Sequence, residues 1–176
     1  HPTTKTPNLD QLAFHGKILT TWYSGCNVCT GSRSALMTGR QWTRTGLPGV
    51  LGPTTPYGLN LNEITLAEQL KKGGYTTGIV GKWHLGHTIE QHTPNARGFD
   101  HFYGHMHTQV SYFDHQIANG HDFQENGKPV DHNGEYATDV HGEQAARFIT
   151  DLRDKTKPFM LYIPFLAPHS PMEAPE

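Results

Sequence analysis

Apolar positions recur at helical spacing in some stretches of the chain and crowd together in others, and the two patterns alternate. Thr6 followed by Pro7 reads as an N-cap and a first-turn proline; Leu9, Leu12 and Ala13 supply an apolar face and Gly16 a stop. Ile18 to Tyr23 is rich in β-formers and predicts a short strand. Ser24 to Thr30 then reads as a turn, and Ser32 to Met37 as a short helix closed by Gly39. Gly and Pro punctuate 43–61, which predicts a long surface loop. Thr65 and Glu68 have capping-box spacing, with Leu66, Ala67 and Leu70 facing inward and Gly73-Gly74 ending the helix. Tyr75 to Val80 predicts a strand interrupted by Gly78, and a polar, His-rich stretch follows it. Val140, Ala145, Phe148, Ile149 and Leu152 fit a helical period that Lys157 and Pro158 break. Phe159 to Leu166 is almost continuously apolar, as in a strand buried on both faces of a parallel sheet. Helices alternating with strands predict an α/β domain with a mostly parallel central sheet flanked by helices.

Composition narrows the partners. At 176 residues the chain can bury one real core. Its start at His1 and its end just after a Pro-rich loop suggest a piece of something longer. With 14 basic against 16 acidic residues and a net charge of -2, it offers no electrostatic case for nucleic acid or an anionic membrane. No apolar run is long enough to span a bilayer, and no signal peptide is visible. Two cysteines cannot build a disulfide scaffold. Gly (19) and Pro (12) point instead to ordered loops.

Candidate chemistry collects just after the predicted strands. Lys82 and His84 follow the strand ending at Val80, and His169 follows the one ending near Leu166. Ligand sites of open α/β sheets lie beyond the carboxyl ends of their strands. Cys29 stands at the start of a short helix, where backbone N–H groups and the helix dipole favour an anion, and Arg33 lies one turn along. Such a basic, imidazole-bearing pocket suits an anionic tetrahedral ester. Cys26 and Cys29 also form a C-x-x-C, so a zinc or redox role stays open, with Cys26 otherwise a buried or loop thiol. His101, His105, His107, His115 and His121 fit no tight ligand spacing and read as surface and substrate-loop residues. Trp22, Trp42 and Trp83 read as packing residues.

Cys29-Thr30-Gly31-Ser32-Arg33 with the tail Leu36-Met37-Thr38-Gly39-Arg40 resembles the type I sulfatase signature. Thr6-Pro7-Asn8-Leu9-Asp10-Gln11-Leu12 upstream, Gly81-Lys82-Trp83-His84-Leu85-Gly86, Gly98-Phe99-Asp100 and Pro168-His169-Ser170-Pro171 follow in that family's order. The resemblance implies an alkaline-phosphatase-like sandwich, of which residues 1–176 would be a partial catalytic domain lacking its first strand and C-terminal portion. It implies cleavage of sulfate esters through a formylglycine made from Cys29 by a dedicated maturation enzyme. Arg33 and Lys82 would hold the hydrated nucleophile, and His84 would help deprotonate it during sulfate release. His169 would contact the sulfate and protonate the leaving oxygen, while Thr108 would stand on the sulfate side. Calcium would bind residue 29, its other ligands lying before His1 or beyond Glu176, so this piece alone should bind calcium poorly and be inactive. The segment Glu125-Asn126-Gly127-Lys128-Pro129-Val130 resembles the arylsulfatase branch that acts on sulfated sugars, and the family implies a periplasmic, secreted or lysosomal setting. Gly31 departs from the family's usual proline. That departure keeps a catalytically inactive, sulfatase-like binding protein open, beside a phosphonate or phosphodiester hydrolase of the same superfamily.

Overall fold

The computed structural model describes residues 3–118 and 120–176. Strand β1 (Thr76–Lys82) is the axis of its main sheet, running parallel to β2 (His101–His105) on one side and to β7 (Phe159–Tyr162) on the other. Beyond β2 lies an antiparallel hairpin, β5 (Gln124–Glu125) and β6 (Lys128–Pro129), which gives the order β6-β5-β2-β1-β7. The sheet is therefore mixed, with its parallel strands together. A separate small hairpin joins β3 (Gln116–Ile117) to β4 (Gly120–His121).

Side chains alternate across the paired strands and feed two cores. Ile79 and Phe102, in register, join Met37, Leu59, Ala67, Trp83 and Phe99 on one face; Val80 and Tyr103 join Tyr112, Phe123 and Val140 on the other. Helices α2 (Cys29–Thr38) and α3 (Leu66–Lys72) contribute to the first core, and α4 (Ala137–Arg147), prolonged by a π-helical turn over Phe148–Leu152, to the second. Gly78 is fitted to that second layer: a Cβ there would sit 2.6 Å from the Phe148 ring. At the strand ends Gly81 and Gly104 are in register with positive φ, and a Cβ on Gly104 would collide with the Gly81 carbonyl. Two backbones can meet this closely at the mouth of the sheet only without side chains.

Several expectations hold, and others yield. The Thr65/Glu68 capping box is present in both directions, and Gly39 ends α2 in the left-handed conformation. Helix α1 (Pro7–His15) forms, yet its apolar face is bare, with Leu9 and Leu12 exposed. No strand forms over 18–23; a β-prone run needs a partner edge, and none of the described residues pairs with it. The last strand stops at Tyr162, before Pro164, and Phe159 stays exposed because β7 is an edge of the sheet rather than an interior strand. Strand β2 and two short hairpins hid in the His-rich stretch. Strand β2 buries His101 and His105, and the β5–β6 turn uses Asn126 and Gly127 at positive φ, the hairpin signal that Asn-Gly carries. Arg97 anchors the first core: fully buried, it pairs with Glu68 at 3.1 Å and donates to the carbonyls of Leu59, Asn60 and Glu63.

Candidate functional site

Helix α2 begins at Cys29 itself, three residues earlier than the pattern predicts, because extended Val28 serves as its N-cap. No side chain caps that end, so the N–H groups of its first turn are available beside Cys29. The preceding loop lies back across the helix. Ser24 Oγ is 2.5 Å from Ser32 Oγ, and a Cβ on Gly31 would stand 2.7 Å from the Cys26 sulfur. Both cysteines are half-buried and free.

Lys82, the last residue of β1, lies within electrostatic reach of Cys29. Arg33 Nη1 donates to the Lys82 carbonyl at 2.7 Å and to the Tyr162 hydroxyl at 3.4 Å, so α2, β1 and β7 meet here. Burial lowers the Lys82 ammonium to about 8; an ionised Cys29 opposes that shift and the Arg33 charge adds to it. Burial likewise lowers Arg33, whose Nε is buried without a hydrogen-bond partner among the described residues. Two cations held in a desolvated place, one with an unused donor, would be relieved by an anion.

His84 follows, at φ +60. Its Nε2 lies 2.7 Å from the Leu51 carbonyl and its Nδ1 3.4 Å from Thr30 Oγ1, which in turn accepts the Leu51 N–H at 3.2 Å. These partners make Nε2–H the donor and Nδ1 the acceptor. Burial holds the ring neutral, with its pKa lowered to about 4. With both nitrogens engaged, the imidazole locks the residue beside Cys29 to the 51 loop.

The exit of β7 is built differently. The Tyr112 hydroxyl donates to the His169 carbonyl at 2.9 Å, and Glu173 accepts the Tyr112 N–H at 2.6 Å. The His169 ring bonds its own neighbour, Nδ1 to the Ser170 carbonyl at 2.8 Å, and Ser170 Oγ donates to Gln109 Oε1 at 3.2 Å. His169 lines a cavity of about 310 Å³ with Tyr112, Tyr136, Met172 and Glu173. Among the described residues, no hydrogen bond or ion pair joins His169 or half-buried Thr108 to Cys29, Arg33, Lys82 or His84. One hydrogen bond and electrostatic reach thus gather four of the predicted residues and leave two apart. Segment 107–109 reaches both groups, since Gln109 meets Ser170 while His107 lies within electrostatic reach of His84; residues 163–166 reach them too, the Pro164 carbonyl accepting the Lys82 N–H at 2.9 Å.

Of the five histidines expected at the surface or in substrate loops, His121 is exposed and His107 half-buried, but three are not. His101, His105 and His115 are buried, and with His141 they serve as flat core pieces: His115 stacks on Phe123 at 4.2 Å and His105 faces His141 at 6.1 Å. Neither ring nitrogen of His105, His115 or His141 has a hydrogen-bond partner among the described residues, and burial lowers the pKa of each, that of His141 to about 3. Trp22 is exposed, contrary to a packing role, whereas Trp83 is buried and donates to the His92 carbonyl at 2.8 Å. Thr30 and Tyr162 enter the site unannounced, because a lone hydroxyl carries no signal in sequence. Calcium does not fit the residues present: no group of three or more His, Cys, Asp or Glu among the described residues could hold a metal, and the charges at Cys29 are cationic.

Comparison with known proteins agrees over the full length. The family model described as Sulfatase matches residues 1–176. Arylsulfatase J of Mus musculus is 38% identical across 97% of this chain, and arylsulfatase A of Bos taurus 53% identical across 59%. The chain spans only 30% and 21% of those two proteins. The structure of Ps i-CgsB in complex with k-i-k-neocarrahexaose is similar over 97% of this chain and 41% of its own, at 33% identity and a TM-score of 0.88. BT4656 in complex with D-glucosamine-2-N,6-O-disulfate is similar over 94% of this chain and 30% of its own, at 32% identity and a TM-score of 0.73.

Proposed function

The chain belongs to the sulfatase family, and from that premise we propose that the whole protein hydrolyses sulfate esters of sugars, with residue 29 as its nucleophile. One observation carries the reading: Cys29 opens a helix whose N-terminus no side chain caps, within electrostatic reach of Lys82, whose own carbonyl anchors Arg33. Converted to formylglycine and hydrated, residue 29 would supply one hydroxyl to attack sulfur and a second whose deprotonation expels sulfate. Lys82 and Arg33 would neutralise the charge that develops on the sulfuryl oxygens. His169 would give a proton to the departing alcohol, which requires the substrate to reach across segment 107–109. Sugars are the favoured alcohols because the similar structures were solved with a carrageenan oligosaccharide and a sulfated glucosamine. Calcium would take its remaining ligands from outside residues 1–176, and a maturation enzyme would act in a periplasmic, secretory or lysosomal route.

Mass spectrometry of the peptide holding residue 29, from the native host, tests the reading at its root. Conversion lowers the mass by about 18 Da relative to cysteine. Paired assays of the whole protein should then show turnover of an aryl sulfate in preference to an aryl phosphonate. An intact thiol without turnover would favour an inactive binding protein; preference for the phosphonate would move the reaction class.

A further inference from the structure

The exits of β1 and β2 run side by side past the end of the ladder. Trp83 N donates to the His105 carbonyl at 2.9 Å and His84 N to the Met106 carbonyl at 3.0 Å, which sets His107 beside the His84 turn. The ring of His107 meets that of His87 at 4.2 Å between centroids, and His87 is itself tied at 3.0 Å to the Pro53 carbonyl. Behind His107 stands Asp122, a buried carboxylate that accepts the N–H groups of Met106 and His107 at 2.9–3.1 Å and the His107 ring at 2.6 Å. The backbone N–H groups hold the carboxylate in place and its one bond to the ring fixes the imidazole's tautomer and rotamer: Nδ1 carries the proton and points inward. The opposite nitrogen, Nε2, makes no hydrogen bond among the described residues, on a side chain that keeps 21% of its surface open.

We infer that His107, oriented by Asp122, is a substrate-reading residue whose Nε2 accepts a hydrogen bond from a carbohydrate hydroxyl near the scissile sulfate. Charge selects that ligand over a second anion. The Asp122–His107 pair is neutral with the imidazole protonated and negative otherwise, so it never presents a net positive charge to a sulfate. Lys82 and Arg33 already supply the cations of the site. Position agrees, because segment 107–109 lies between His84 and the Ser170–His169 turn, where the alcohol side of a bound ester would pass. His87 braces the ring from the side, and its own Nδ1 is buried without a partner among the described residues.

This inference rests on the sulfatase reading but is tested by binding rather than turnover. In the whole protein, Cys29→Ala removes the reaction, and affinities for a sulfated monosaccharide and its single-deoxy analogues can be compared with those of Cys29→Ala/His107→Phe. Phenylalanine keeps the ring contact with His87 while deleting Nε2. The expected result is about a 10-fold weaker affinity for the parent sugar, and less than about a 2-fold change for the one analogue lacking the hydroxyl that His107 reads. Equal weakening across every sugar, no weakening, or no binding at all in the Cys29→Ala background would overturn the inference. Aryl sulfate turnover by the unsubstituted protein is scored separately: its failure with His107-dependent binding intact would sink only the hydrolase reading.

Discussion

The exits of β1 and β7 deliver the two groups of predicted site residues, and they are made in opposite ways. At the β1 exit Lys82 and His84 are buried, and every ring nitrogen of His84 is spoken for by Leu51 and Thr30. At the β7 exit the backbone is clamped by Tyr112 and Glu173, but the His169 ring holds only its own neighbour. On the proposed reading, rigidity is spent where charge would be placed, and freedom is left where a proton would move between protein and substrate. The difference predicts that substitutions at the first exit register in stability and those at the second in turnover.

Cys29→Ala should have the largest effect, removing the nucleophile that the β1 exit serves: turnover of an aryl sulfate by the whole protein should fall by about 10⁴-fold or more, with the melting temperature unchanged. His169→Ala comes next. A lost general acid should cost about 10²- to 10⁴-fold in kcat, least for substrates with good leaving groups, while urea denaturation stays within about 0.5 kcal/mol of the parent. His84→Ala would invert that profile at the β1 exit. It orphans the Leu51 carbonyl and loosens Thr30, so urea denaturation should show a loss of about 1–3 kcal/mol. Equal stability losses at His84 and His169 would erase the distinction.

The smallest effects are in pH dependence. His84 is depressed to about 4 when folded against about 6.5 unfolded, so between those values the unfolded chain binds the extra proton. Its contribution is complete above about pH 6.5 and is lost as pH falls through 4. Buried His141, depressed to about 3, adds in the same direction. Lys82, lowered to about 8 against an ordinary 10.5, acts on the alkaline side: the unfolded chain again holds more protons, and stability rises from about pH 8 to 10.5. Denaturation midpoints across pH should show both slopes, and His84→Gln should flatten the acidic one; an unchanged acidic slope would assign it to the core histidines instead.

Much of this arrangement was legible before any coordinate. The capping box at Thr65, the strand leading to Lys82 and the stop at Gly39 follow from local rules, and the ordered motifs named the family. What escaped notice depends on partners distant in sequence. Strand β2 reads as polar because His101 and His105 are buried as neutral rings, a state that only tertiary packing confers. The run at 18–23 reads as a strand but lacks a neighbour to pair with, and α1 has an apolar face with nothing described against it. The Asp122–His107 pair spans 15 positions with no periodicity to announce it.

Gly31 against the Cys26 sulfur has a consequence for anyone redesigning this signature. A proline ring suits the third position of a helix in backbone terms, since that N–H has no partner within the helix. The obstacle is the thiol that already fills the volume, 2.7 Å from where the first added carbon would go. Residues 26 and 31 therefore behave as a lock and its spacer: a proline at 31 should be accommodated better together with Cys26→Ala than alone, which melting temperatures of the single and double variants would read.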